Sequence, residues 1–209
     1  MSLKHLARAT LALIEAGSYE RDGALVPFAA AQRAAVAGAR LYTPEALATL
    51  RSAPVPDGEP GALRVTDELT AAAARRLTSA GREVAALNFA SARNPGGGFL
   101  NGARAQEEEL CRCSGLYPTL LTQRAYYEAN RAESSLIYTD HAIYSPGVPF
   151  FRVRARDSLL PAPFLVHVIT APAPNAGPLL QRDPAAGPAI AEAFTRRWAN
   201  VLAIARANG

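Results

Sequence analysis

Three consecutive glycines, Gly96, Gly97 and Gly98, follow Asn94 and Pro95, and a spacer over residues 99–105, beginning with Phe99, joins them to Gln106, Glu107, Glu108 and Glu109. Glycines carry no Cβ and take positive φ readily, so their N–H groups can approach an anionic or sugar ligand closely. A carboxylate cluster just beyond such a loop can act on what the loop holds. A glycosidic bond breaks when an acid protonates the leaving oxygen while positive charge develops on the sugar ring, after which a base activates water. One carboxyl group can do both in turn if its pKa is raised, and neighbouring like charges and partial burial both raise it. The dipole of a helix start works the other way, favouring the charged form.

Geometry limits how many of the glutamates can serve. In a helix starting at Gln106, successive side chains point about 100° apart, so at most two of Glu107, Glu108 and Glu109 face one ligand. Upstream, residues 83–90 form a short apolar run of the kind that makes a buried strand. The loop then sits at a strand's C-terminal end, where open α/β sheets bind ligands. Two familiar glycine-rich motifs are excluded. A P-loop needs Lys and Ser or Thr after its last glycine, but Gly102 precedes Ala103 and Arg104; a dinucleotide fingerprint counted from Gly96 needs glycine where Asn101 stands. A long turn or an acidic helix start would be ordinary alone. Their joint spacing behind a strand points to a site.

Gly-Gly-Gly, seven residues from Phe99 to Ala105, then Gln-Glu-Glu resembles the signature of the poly(ADP-ribose) glycohydrolases, in particular the bacterial-type branch. The stretch from Leu87 to Tyr117, Tyr144-Ser145-Pro146 and the run Val168 to Pro172 are similar to that branch as well. The resemblance implies an α/β fold, a macrodomain-like three-layer α/β/α sandwich with a mixed sheet and N-terminal helical additions. It implies hydrolysis of the ribose–ribose O-glycosidic bonds of poly(ADP-ribose), releasing ADP-ribose, in the DNA damage response. Glu108 would be the acid/base, Glu107 would hold ribose hydroxyls, and Gln106 would line the same pocket. Asn94 would bind the ribose beside the scissile bond, and the Gly96–Gly98 loop would approach the ligand, with Gly97 and Gly98 offering N–H groups to ribose and phosphate. Phe99 would shape the pocket wall, while Glu109, outside the motif, would be a solvated charge. The partners implied are poly(ADP-ribose) or ADP-ribose and poly-ADP-ribosylated proteins, with no cofactor. The family's last helix is followed by another strand and a second glycine-rich loop, so a chain ending at Gly209 is expected to lack its last strand or strands and to be truncated. An ADP-ribose-binding module without turnover is the alternative reading, and a site for another nucleotide or sugar phosphate is a third.

With 209 residues and 49% hydrophobic content the chain can bury a core, and one domain over residues 1–209 is the simplest count, with an N-terminal extension over about residues 1–60. A net charge of +4 suits a polyphosphate substrate. Without a Lys/Arg-rich block, Arg75-Arg76 and Arg196-Arg197 read as solvated helix faces, and no direct duplex nucleic acid partner is expected. The first 17 residues show a charged helical pattern rather than a signal-peptide core, and no apolar stretch is long enough to cross a bilayer, so a soluble, cytoplasmic protein with no membrane partner is expected. Cys111 and Cys113 are too close for a four-ligand site, and His5, His141 and His167 are scattered, so no metal is expected. His167 reads as a satisfied strand histidine. Tyr126-Tyr127, Phe150-Phe151 and Trp198 read as packing residues, and Tyr144 as a strand-end residue able to stack on adenine.

Local signals place the elements. A helix is predicted over residues 3–16 with Ser2 as N-cap and Gly17 as stop, a hairpin over 19–26, and a helix opened by Thr43-Pro44-Glu45. Residues 53–61 read as a loop and 63–65 as a strand, before an alanine-rich helix from Thr66 or Asp67 to near Gly81. After the strand and signature loop come helices from Gln106 and Pro118, strands over 136–144, 148–154 and 164–170, and a last helix over 188–208 with Gly209 as its cap.

Overall fold

A computed structural model of the chain describes residues 2–55 and 61–209. The first helix, α1 (Leu3–Ala16), has the predicted caps: Ser2 Oγ accepts from the His5 N–H, and Gly17 turns left-handed to close the C-terminus. The hairpin β1 (Ser18–Arg21) and β2 (Ala24–Pro27) follows, turning at Asp22 and Gly23, both at positive φ. Next come α2 (Ala29–Gly38), β3 (Arg40–Tyr42), α3 (Pro44–Ser52) capped by Thr43, and α4 (Thr70–Ser79). The strand β4 (Ala85–Ala90) leads into the signature loop, then α5 (Gln106–Cys113), α6 (Leu116–Leu121) and α7 (Arg124–Ala132). The remainder is β5 (Ala142–Phe150), β6 (Phe164–Pro172), α8 (Ala176–Arg182) and α9 (Gly187–Ala207).

The main sheet has the order β3-β5-β6-β4, antiparallel except for the parallel pair β6 and β4. Side chains alternate between its two faces, and this alternation builds three layers. Val84, Ala86, Val166 and Val168 pack with α1, α2, α4, α5, α6 and α7 on one face. Ile169, Ala142 and Tyr144 pack with Leu47 of α3 and Val201 and Ile204 of α9 on the other. The result is the macrodomain-like three-layer sandwich with a mixed sheet. Parallel pairing of β4 with β6 brings both C-terminal ends to the same rim, which carries the signature loop.

Several expectations need correction. Residues 63–65 form no strand: Leu63 and Val65 are 94% and 93% exposed and have no ladder to join. Of the predicted 53–61 loop, residues 56–60 lie outside the described residues. The alanine-rich helix starts at Thr70, later than predicted. The strands expected over 136–144 and 148–154 are one strand, β5, interrupted by an irregularity between Ser145 and Val148 where Gly147 takes positive φ. Pro146 and Gly147, between the two expected strands, are therefore absorbed as a bulge. Tyr144 accordingly lies within the strand, and the last helix ends at Ala207 with Asn208, not Gly209, as its cap. Nor are Arg196 and Arg197 solvated: Arg196 pairs with Asp140, and Arg197, buried, donates to the carbonyls of Pro172, Ile137, Tyr138 and Thr139 and to Asp140. It ties the loop before β5 to the end of β6. His167 is satisfied as expected, 2.5 Å from the Tyr144 hydroxyl and 3.0 Å from Glu83. Tyr126, Tyr127, Phe150 and Phe151 are core, whereas Trp198 is 48% exposed.

Candidate active site

At the end of β4 the chain turns on Ser91, whose Oγ accepts from the N–H groups of Arg93 and Asn94. Gly97 N–H then donates to Asn94 O and Phe99 N–H to Gly96 O, each over 3.0 Å. Phe99 does not shape an open pocket wall. It is fully buried, its ring 5.2 Å from that of Tyr117, and it anchors the loop from below. Gly97 shows why glycine is needed here. At φ 56° a Cβ would sit 2.5 Å from Glu108 Oε1 and 3.1 Å from Glu107 Oε2, inside van der Waals contact with both. The loop can lie over the two glutamates only because that atom is missing.

Helix α5 delivers those glutamates from its first turn. Glu107 and Glu108 are 2% and 7% exposed. Glu108 Oε1 accepts from Gly98 N–H at 2.8 Å, while its Oε2 is buried with no partner among the described residues. Glu107 Oε2 accepts from Ser91 N–H at 2.7 Å, and Oε1 from Asn88 Nδ2 at 3.3 Å. Burial pushes the Glu107 carboxyl up to about 7; the Ser91 and Asn88 hydrogen bonds hold it down, and the neighbouring Glu108 charge pushes it further up. Near neutrality Glu107 thus holds a proton that an exposed glutamate would have lost.

The structure brings together Asn94, the three glycines, Glu107 and Glu108, and rearranges the rest. The glycine N–H groups are turned inward, Gly98 to Glu108 and Gly97 to Asn94, because buried carboxylates and a turn carbonyl are the acceptors within reach. Asn94 is exposed at the rim. Gln106 does not join the glutamates: its Oε1 accepts from Phe89 N–H and its Nε2 donates to Leu87 O and Thr70 Oγ1. Since β4 is the last strand of the sheet among the described residues, the outward-facing groups of 87 and 89 need partners, and one amide supplies a donor and an acceptor. Glu109 is not simply solvated either; it accepts from Ala155 N–H at 2.7 Å and lies 3.5 Å from the buried Arg112. Tyr144 packs on the α3 and α9 face, opposite to the face that carries α5, and cannot reach the loop. Sequence reading missed Ser91, Asn88 and Thr170. The spacing signal for the last two existed, since Asn88 is polar at an inward position of β4.

A hollow of about 740 Å³ opens on the other flank of α5, between Leu69, Arg104, Arg112 and Val153 to Asp157. It contains neither Glu107 nor Glu108. Among the described residues no cluster of three or more His, Cys, Asp and Glu is placed to hold a metal ion, and no helix is long and apolar enough to cross a membrane.

The model of the microbial-type PARG catalytic domain matches residues 7–153 of the chain. Among solved structures, the chain is similar to poly(ADP-ribose) glycohydrolase from Thermomonospora curvata, with TM-score 0.90 and 44% identity over 99% of this chain and 76% of that one. It is similar to the same protein bound to the inhibitor ADP-HPD, with TM-score 0.87 and 43% identity over 99% and 75%. The poly(ADP-ribose) glycohydrolase from Deinococcus radiodurans in complex with ADP-ribose aligns with TM-score 0.75 and 48% identity, over 83% of this chain and 70% of that one. None of the curated proteins matches.

Proposed function

The chain belongs to the microbial-type poly(ADP-ribose) glycohydrolase family, and from that premise we propose that it hydrolyses the ribose–ribose bonds of poly(ADP-ribose) with Glu108 as the acid/base. The observation that carries the assignment is the unpartnered, buried Oε2 of Glu108, beside a second carboxyl that retains a proton near neutrality. The pair supplies one proton to the leaving ribose oxygen from Glu108 Oε2. Positive charge developing on the ribose ring is then faced by carboxylate, and Glu108, now ionised, takes a proton from the attacking water. Glu107 holds the ribose hydroxyls, and Asn94 at the rim contacts the ribose beside the scissile bond. The Gly97 approach keeps bulk water from the carboxyls, which strengthens every charge interaction there.

ADP-ribose is the ligand of the Deinococcus radiodurans protein and ADP-HPD inhibits the Thermomonospora curvata one, and both support an ADP-ribose unit as the moiety recognised here. We read residues 1–209 as one catalytic domain acting in the cytoplasm on poly-ADP-ribosylated proteins in the DNA damage response; this rests on the substrate class alone. The test is ADP-ribose release from purified polymer by the chain and by Glu108→Gln. Release by the parent alone supports the assignment. Binding of ADP-ribose by both, with no release by either, would make the domain a reader instead.

A further inference from the structure

Directly behind Glu107 lies a buried polar pair that the acid–base assignment does not use. Asn88 and Thr170 are both 0% exposed and stand opposite one another in the parallel register of β4 and β6. Their neighbours on this sheet face are Ala86 and Val168, so an apolar pair would extend the core without leaving a polar group to satisfy. Instead Asn88 Nδ2 donates twice, to Thr170 Oγ1 at 3.1 Å and to Glu107 Oε1 at 3.3 Å, and Asn88 Oδ1 is left buried without a partner among the described residues. Turning the amide round would leave Nδ2 as the orphan instead and would set the amide oxygen against the Glu107 carboxylate whenever that group is ionised. The arrangement sacrifices Oδ1 to aim a donor at the glutamate.

We propose that Asn88, held in place by Thr170, is a positioning residue of the glycohydrolase reaction that aims the Glu107 carboxyl and sets how readily the glutamate pair gives up its proton. The inference rests on the acid–base reading of Glu107 and Glu108. The titratable groups facing Glu107 are Glu108 and Cys111 on α5 and Tyr126 and Tyr127 on α7. Burial pushes the thiol and both phenols up, so they remain neutral, and Glu108 alone brings a charge. Against that charge the ionised form of Glu107 is supported by the backbone N–H groups of Ser91 and Gly96 and by Asn88, the one side chain in the set. Withdrawing Asn88 makes the pair hold its proton more tightly. The pair then stays protonated to higher pH, and it delivers the proton less readily.

Two readouts test this: the pH dependence of kcat for ADP-ribose release, and a carbon-13 carboxyl NMR titration of the glutamates, which needs no turnover. In Asn88→Ala the alkaline limb and the carboxyl titration should move up by about one pH unit while kcat falls about tenfold. Asn88→Asp, which adds a like charge, should move both further. Thr170→Val, close in shape and safe for the fold, should give a smaller displacement of the same sign, and Thr170→Ser should restore the parent profile. Unmoved titrations in folded Asn88→Ala and Thr170→Val would overturn the inference and leave Asn88 a structural residue. A parent chain that releases no ADP-ribose would overturn the acid–base reading, whereas the carboxyl titration would still decide whether Asn88 governs Glu107.

Discussion

The two flanks of α5 are made from one run of glutamates and have opposite characters. Toward the glycine loop, Glu107 and Glu108 are buried, and one oxygen has no partner among the described residues. Toward the 153–157 loop lies a roomier hollow, about 740 Å³, with Arg104, Arg154 and Arg156 along it and Glu109 committed to Arg112 and to a backbone N–H. Size favours the second flank and chemistry the first. Glu109 has a guanidinium beside it, whereas Glu107, faced by another carboxylate under low exposure, keeps its proton to about 7. What distinguishes the glycine-loop flank is thus the mismatch between charge and solvation, a property that the volume of a hollow does not report.

The contrast can be broken most severely at Glu108. Glu108→Gln keeps the acceptor for Gly98 N–H but removes the transferable proton, and should lower kcat by at least about a thousandfold with little change in Tm. Placing a methyl at Gly97 should come next. Gly97→Ala pushes into both carboxyls and strains a positive φ, so ADP-ribose release should fall about a hundredfold and the chain should lose about 1–2 kcal/mol in denaturant titrations.

Glu107→Gln sharpens the comparison through pH. The folded chain holds the Glu107 proton to about 7 while an unfolded glutamate releases it near 4.5, so the associated stability is complete below 4.5 and is lost as pH rises through 7. The amide variant has no such loss. Relative to the parent it should gain up to about 3 kcal/mol between pH 4.5 and pH 8 in unfolding measurements, although its turnover should drop about a hundredfold. A parent stability flat across that interval would contradict the buried, protonated pair. The smallest activity change should come from the other flank. Glu109→Gln leaves Arg112 buried without its carboxylate, so about 1–3 kcal/mol of stability should be lost while kcat stays within about threefold.

The signature segment was legible because its rules are local. Strand, loop and helix start were all readable from residues adjacent in sequence, as were the caps of α1 and α3 and the turn at Asp22 and Gly23. The limit of two glutamates per ligand followed from helix geometry, and Glu109 points away from the other two to Ala155. Where reading failed, the deciding partner was distant. The resemblance put Gln106 in the pocket, yet its amide is taken up by the edge of β4, which no local signal identifies as an edge. A double arginine looked like a solvated helix face until the loop before β5 presented its carbonyls to Arg197. A Pro-Gly pair ended a strand on paper and became a bulge because β6 continues to pair across it.

By itself, then, the sequence determined the chemistry available in the signature stretch, since a loop without Cβ atoms and a set of acids at fixed helical spacing follow from covalent structure. Which acid keeps a proton was decided only by the tertiary structure. That outcome depends on desolvation under the loop, on Asn88 arriving from β4 with Thr170 opposite it on β6, and on Glu109 being drawn off to Arg112. Each of these is a long-range contact, and the free energy of a buried charge is set by all the groups around it rather than by its neighbours in the chain.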